Sequence, residues 1–395
     1  MRLLIVAMAE SVHTARWVSQ IADQGWDIHL FPSVNCGIVH PGLRNITVHN
    51  MFRGRQTIDP SIRHKGIPVF NDDVALAGGI ALERFFPQLK VRKLRRLVHR
   101  IQPDIIHSME IQHAGYLTLE AMKGIKGRIP TWIVTSWGSD ISLFGRLEAH
   151  KERLREVLSS CDYLCCDCRR DISPAVSLGF KGVVLPVMPG GGGLDMEMCA
   201  RSRQPGRVSE RRIIMLKGYQ GWSGRALVGL RALERCADVL KGFEVFLYSA
   251  SPEVLIAAEL FSESTGVPVT IVPPLTSHSE MLVYYGKARI SIGVSVSDGA
   301  TNSLLESMAM GSFPIQSWTA CADEWIEDGK TGLLVPPDDP DVVEKAIRRA
   351  LTDDELINVA AESNYRMAQE RLDQSLLKPK AVNIYRYVAE HYASR

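Results

Sequence analysis

Two acids frame a turn in residues 295–317, SVSDGATNSLLESMAMGSFPIQS. An apolar, strand-like run breaks at Asp298-Gly299 and resumes as a helix with Leu304, Leu305, Met308 and Ala309 on one face. It stops at Gly311 and returns as a second strand, FPIQS. Ligands of open parallel sheets bind outside the carboxyl ends of strands. A helix N-terminus there offers unbonded amides and the positive end of its dipole to a phosphate. Gly299, Ala300, Thr301, Asn302 and Ser303 would form such a seat. Glu306 lies about one turn inside the helix, at roughly 3.6 residues per turn, where ribose hydroxyls behind the phosphate would be in reach. Asp298, before the turn, is placed for hydroxyls of whatever lies beyond the phosphate. Two acids flanking a phosphate seat describe a nucleotide sugar. On its own the pattern equally fits a common Asp-Gly turn followed by a helix that carries a surface glutamate.

A second stretch, RIIMLKGYQGWSGRALVGL, reads as strand, Gly-rich loop and helix. Lys217 ends the strand, Gly218 follows it, and Arg225 opens the helix. A cation at a helix N-terminus opposes the dipole, which an anion between Lys217 and Arg225 would resolve; a diphosphate fits. The plainer reading is two solvated charges on a loop.

The elements that must hold these residues follow from composition and pattern. The chain has 395 residues, 46% hydrophobic and 23% charged, which suits two globular domains. Net charge is +2 but uneven: 24 Lys and Arg stand against 17 Asp and Glu over residues 1–188, or +7, and 22 against 27 in the remainder, or −5. That balance argues for an anionic surface near the first domain and against nucleic acid along the chain. The opening MRLLIVAMAES meets Glu10 too early for a leader and reads as a first strand. No run approaches the roughly 18 apolar residues of a membrane span.

Short apolar runs alternate with helical patterns from RLLIVAMA to GLLVPP. That alternation predicts two doubly wound α/β domains with parallel sheets covered on both faces. MPGGGGLDMEMCARSRQPGRVSE, rich in Gly, Arg, Ser and Pro, reads as the boundary. The expected division is 1–188, a linker at 189–210, a second domain at 211–373, and a helix at 374–392 that packs back on the first domain. Cys161, Cys165, Cys166 and Cys168 cluster, but their spacing matches no common zinc site and alternate strand positions face opposite sides. Reduced core thiols of a cytosolic protein are expected instead.

The second half resembles the donor domain of the retaining GT-B glycosyltransferases of family four. That family carries two Glu eight positions apart, then Ala-Met-Ala-x-Gly and Pro-Val; here Asp298, Glu306 and SMAMGSFPIQS hold the same register. ADEWIEDGKTGLLVPPDDPDVVEKAI follows the family's downstream pattern. The resemblance is strong over about 210–365 and weaker over 1–190, through PDIIHSMEIQH and TSWGSDI. Asp298 replaces the usual first Glu, Lys217 and Arg225 reverse the family's usual Arg-then-Lys order at wider spacing, and Met109 and Trp137 stand where the front domain usually has His.

The resemblance implies GT-B architecture, with two Rossmann-like domains facing a cleft. It implies transfer from a nucleoside-diphosphate sugar, UDP favoured, with retention at the anomeric carbon and without a metal or other cofactor. Asp298, Lys217, Arg225 and His113 are the expected catalytic residues. Ser277 and His278, in PPLTSHSEM at 273–281, join Glu306 and the phosphate loops in binding the donor. Glu10, Ser11, Trp137 and Asp140, at strand ends of the first domain, are candidates for a glycan or lipid-linked acceptor in bacterial surface polysaccharide assembly; ordinary loop chemistry accounts for each equally well. The basic amphipathic stretch 83–100 allows peripheral contact at the inner face of a membrane, against the plainer reading of a solvated helix packed on its sheet. Rival readings are a GT-B phosphorylase or epimerase, or a nucleotide-sugar-binding protein without activity. A nicotinamide enzyme fits least, since AMAESVHTA lacks the Gly-rich fingerprint.

Overall fold

The computed structural model describes residues 1–34, 37–56, 58–125, 127–274 and 276–392. It divides into two compact units, Met1–Gly192 with Leu377–Arg395, and Gly193–Leu376.

The first unit is built on eight parallel strands: β1 (Arg2–Ala7), β2 (Asp27–Pro32), β3 (Thr47–Arg53), β4 (Arg63–Pro68), β5 (Ile105–Met109), β6 (Thr131–Ser136), β7 (Tyr163–Cys166) and β8 (Val183–Val184). Their order is β4-β3-β2-β1-β5-β6-β7-β8. The order reverses between β1 and β5, which is where such sheets open a binding crevice. The central strands are buried along most of their length, as the unbroken apolar runs predict. The last helix, Gln374–Tyr392, packs into this unit: Trp17 Nε1 donates to Tyr385 Oη at 2.8 Å, and Tyr385 Oη lies 2.7 Å from His107 Nδ1. His107 Nε2 lies 2.6 Å from Thr135 Oγ1, so the buried imidazole has both nitrogens engaged.

The second unit carries six parallel strands: β9 (Ile213–Lys217), β10 (Glu244–Tyr248), β11 (Val269–Ile271), β12 (Ala288–Gly293), β13 (Phe313–Ser317) and β14 (Leu333–Val335). Their order, β11-β10-β9-β12-β13-β14, reverses between β9 and β12.

Two sequence expectations differ from the structure. β4, RHKGIP, was not anticipated: it is a polar, largely exposed edge strand without apolar alternation. The stretch expected as a linker at 189–210 is folded. Gly190, Gly191 and Gly192 are buried in the first unit, and a Cβ on Gly192 would lie 2.7 Å from Gln20 Nε2. Residues from Gly193 onward belong to the second unit, where Asp195 caps the helix Met196–Ser202, which buries Met196 and Cys199.

Candidate active site

The switch point of the second sheet brings Lys217 and Asp298 together. Lys217 is the last residue of β9, Asp298 follows β12, and Lys217 Nζ lies 3.1 Å from Asp298 Oδ2. Burial lowers the Lys217 pKa, but the Asp298 carboxylate, with Tyr248 and Tyr219, outweighs it and leaves the ammonium stabilised overall.

The loop carrying Asp298 is pinned on both sides. Towards the Gly-rich loop, Gly224 bridges to Ser295, Val296 N donates to Ser223 O at 2.8 Å, and Arg225 N donates to Val294 O at 2.9 Å. Towards β13, Ser295 N donates to Ser317 Oγ at 3.0 Å, and Ser317 Oγ donates back to Ser295 O at 2.7 Å. Asp298 Oδ1 accepts from Gly299 N at 3.0 Å. The carboxylate is therefore held by backbone scaffolding rather than displayed on a loose turn.

Beyond Gly299 the helix Asn302–Met310 begins. Its N-cap, Thr301, makes no side-chain cap hydrogen bond. Thr301 Oγ1 is buried without a hydrogen-bond partner among the described residues, while the Ser303 hydroxyl interacts with that of Tyr248. Uncapped amides beside the buried Thr301 hydroxyl offer donors that suit an anion. Ala300 is buried under this turn, and Asn302 is half-buried at the first helical position.

Glu306 is buried, and its Oε1 lies 2.9 Å from His278 Nε2. His278 opens the helix His278–Lys287, so the N-termini of two helices converge on one acid–imidazole pair. Both residues were proposed from sequence; their pairing was not, because 28 positions separate them. Ser277 is otherwise occupied: it is the N-cap of that helix in a capping box with Glu280. Leu275, within the 273–281 segment, lies outside the described residues.

Gly218 and Gly224 are dictated by close approach. A Cβ on Gly218 would lie 2.7 Å from Ala250 Cα, and one on Gly224 would lie 2.1 Å from Tyr219 O. Arg225 Nη1 donates to Gly221 O at 2.9 Å and Gly224 O at 2.7 Å, so its guanidinium closes its own loop. Trp222 in this loop and Trp318 after β13 are exposed, at 56% and 52%. Sequence reading passed over both, although an exposed tryptophan at a strand's carboxyl end is itself a signal.

In the first unit, the candidates gather at the carboxyl ends of β1, β5 and β6, around that sheet's reversal. Glu10 Oε2 and Trp137 Nε1 are buried without a hydrogen-bond partner among the described residues. The Trp137 ring lies 5.2 Å from that of His13. Ser11 caps the helix Val12–Ile21 through His13 N at 3.2 Å. Asp140 joins two loops: its carboxylate accepts from Ile111 N at 3.1 Å and from Trp137 N at 2.5 Å. Burial first, and the Glu110 carboxylate second, push its pKa up to about 7. This is a buried brace, not a group displayed to an acceptor.

Glu110 was missed by sequence reading. It sits at φ 75°, and its carboxylate accepts from His113 N at 2.9 Å and Ala114 N at 2.5 Å, capping the wide turn Ile111–Gly115. A hydrogen bond from its ring to the Glu110 carboxylate raises the pKa of the largely exposed His113. Met109, at a position where histidine is usual, is buried in the core. The cysteines do not converge either: Cys165 lies in the core on one sheet face, Cys161 and Cys166 in that on the other. Burial pushes the Cys165 thiol up to about 12.

No curated protein matches the sequence. Residues 2–65 and 81–167 match the family described as glycosyl transferase 4-like, and residues 230–353 match glycosyl transferases group 1. Among solved structures, the fold is similar to a sucrose-phosphate synthase from Thermosynechococcus elongatus, at 15% identity and TM-score 0.72 over 100% of both chains. It is also similar to Anabaena HepE in complex with UDP-glucose, at 12% identity and TM-score 0.67 over 98% of this chain and 100% of that one. The lipopolysaccharide outer core galactosyltransferase WaaB matches at 13% identity and TM-score 0.61, over 97% and 98%. With one glycosyltransferase model on each half and GT-B structures matching throughout, the chain belongs to the group 1, 4-like glycosyltransferases of GT-B fold.

Proposed function

We propose that the chain transfers a sugar from a UDP-sugar to a glycan or lipid-linked acceptor, with retention at the anomeric carbon and without a catalytic metal, in assembly of a bacterial surface polysaccharide. One observation carries the reading. The Lys217–Asp298 pair stands at the switch point beside an uncapped helix N-terminus, with Glu306 one turn further in. A diphosphate on that N-terminus would bring its charge to Lys217. Its ribose would lie towards Glu306 and His278, its sugar towards Asp298.

In the reaction the anomeric C–O bond to the diphosphate breaks and the leaving oxygen takes the electron pair. The acceptor hydroxyl attacks the same face and gives its proton to the departing diphosphate. The protein supplies orientation and fixed positive charge where the leaving group develops. Lys217 and the amides after Gly299 fill the role that a divalent ion plays in metal-assisted transferases. Uridine is favoured because a protein of similar fold is seen with UDP-glucose. An acceptor of the lipopolysaccharide kind is suggested by the name of another. A lipid-anchored acceptor places the work at the cytoplasmic face of a membrane, with the chain held peripherally; no helix among the described residues is long and apolar enough to cross one.

The test is a thermal shift against UDP, GDP and ADP, then turnover of the matching nucleotide sugars in chelator, with the product's anomeric configuration read by NMR. Stabilisation by UDP, chelator-resistant turnover and a retained anomer support the reading. Orthophosphate-dependent turnover, epimerised donor or an inverted product would each replace it.

A further inference from the structure

We infer that residues 67–100 of the first unit form a docking surface for an anionic lipid bilayer, with an apolar crown that enters the interface and an arginine stripe that meets the headgroups. The inference stands on this surface alone, whichever sugar is transferred.

The crown begins on edge strand β4 and continues over two helices, Asp72–Phe85 and Pro87–Ile101. Ile67, Phe70, Val74, Ile80, Phe85 and Phe86 are 47–73% exposed. The helix Asp72–Phe85, DDVALAGGIALERF, buries only Ala75 and Gly79. An apolar helix with so little of itself in the core presents its remaining face outward, and large exposed apolar surfaces of this kind mark interaction sites.

The next helix decides which partner. It carries six Lys and Arg and no acid. Three are consumed internally: Lys90 bonds Ser33 O and Glu83, Lys93 bonds Asn50 O, and Arg95 bonds the carbonyls of Glu120 and Ala121. Its apolar face, Val91, Leu94, Leu97 and Val98, is buried. What is left outside is Arg92, Arg96 and Arg100. With exposed Leu89 these recur at three- and four-residue steps and so lie on one face. The stripe therefore starts at the Phe85–Phe86 junction, apolar at its head and basic along its length. Across residues 51–100 the chain holds 11 Lys and Arg against 4 Asp and Glu.

Protruding aromatic and aliphatic side chains beside a one-signed basic stripe fit the headgroup region of an anionic leaflet. Pairing of β4 with another chain's strand is opposed by its exposed Arg63 and Lys65, charges of the kind that guard sheet edges.

The test is flotation of the full-length protein with vesicles of phosphatidylcholine alone or mixed with phosphatidylglycerol, alongside size-exclusion chromatography without lipid. The expected result is binding to the mixed vesicles at least about tenfold tighter than to neutral ones, weakened by salt. Arg92→Gln with Arg96→Gln should cost roughly fivefold per arginine, and Phe85→Ser with Phe86→Ser should abolish flotation. All four positions are exposed, and an unchanged melting temperature confirms that the variants fold. No flotation, or equal flotation with both vesicle types, overturns the inference. So does lipid-free self-association that Phe85→Ser with Phe86→Ser removes, which would make the crown a protein interface.

Discussion

At the residue scale the two acids of the second unit stand in opposite surroundings. Glu306 is buried against His278, where a ribose hydroxyl would find a fixed acceptor. Glu306→Gln is expected to weaken UDP binding by about 1.5–3 kcal/mol, the range for a hydrogen bond to a charged group; calorimetric titration measures it, and unchanged affinity would remove Glu306 from the site. Asp298 instead neutralises Lys217. Asp298→Asn should leave UDP binding intact or tighter, since Lys217 is released, while turnover falls on the order of a hundredfold through lost orientation. Full turnover in that variant would make Asp298 a turn residue only. The acids and the lysine were legible in the sequence because each lies on a strand–turn–helix unit: Lys217 at the end of β9, Asp298 in the turn after β12, and Glu306 one turn into the helix that follows. The His278–Glu306 pair and the Asp140 brace were not, since each joins segments far apart in the chain.

At the scale of elements, strand–turn–helix units could be read wherever apolar runs met a Gly or Asp break, as at Lys217-Gly218 and Asp298-Gly299. β4 escaped because an exposed edge strand has no apolar face to announce it, and the helix Met196–Ser202 because its few buried residues sit amid linker-like composition. The Gly-rich loop after β9 is the element with least freedom. Gly224→Ala would drive a Cβ into the Tyr219 carbonyl oxygen, 2.1 Å away, and the backbone must move. Overpacking of this kind costs about 1–3 kcal/mol. At roughly 2–4 °C per kcal/mol for a domain of this size, Gly224→Ala should lower the melting temperature by several degrees. It should also weaken UDP binding, because the displaced loop is stitched to Ser295 and Val296. Wild-type melting and affinity would show that the loop tolerates the shift.

At the scale of the molecule the two units have separate cores and separate sensitivities. The first holds two histidines, His49 and His107, whose pKa values burial lowers to about 3. As pH falls below the ordinary 6.5, the unfolded chain takes up these protons and the folded chain does not until near 3, so stability is lost through that window. Each histidine contributes a slope of about 1.4 kcal/mol per pH unit. Asp140 works in the opposite sense, since its folded pKa of about 7 lies above the ordinary value and its protonation stabilises the fold as pH falls. His49→Gln should therefore lower the slope of melting temperature against pH between 6.5 and 4 by one histidine's share; an unaltered slope would show that His49 protonates without penalty. The second unit should carry the nucleotide response. Hydrogen–deuterium exchange of the intact chain with and without UDP tests this account most directly. It predicts UDP-dependent protection in residues 217–226, 276–282 and 298–308, around β9's end and the two helix N-termini; protection confined to other segments, or none at all, would contradict it.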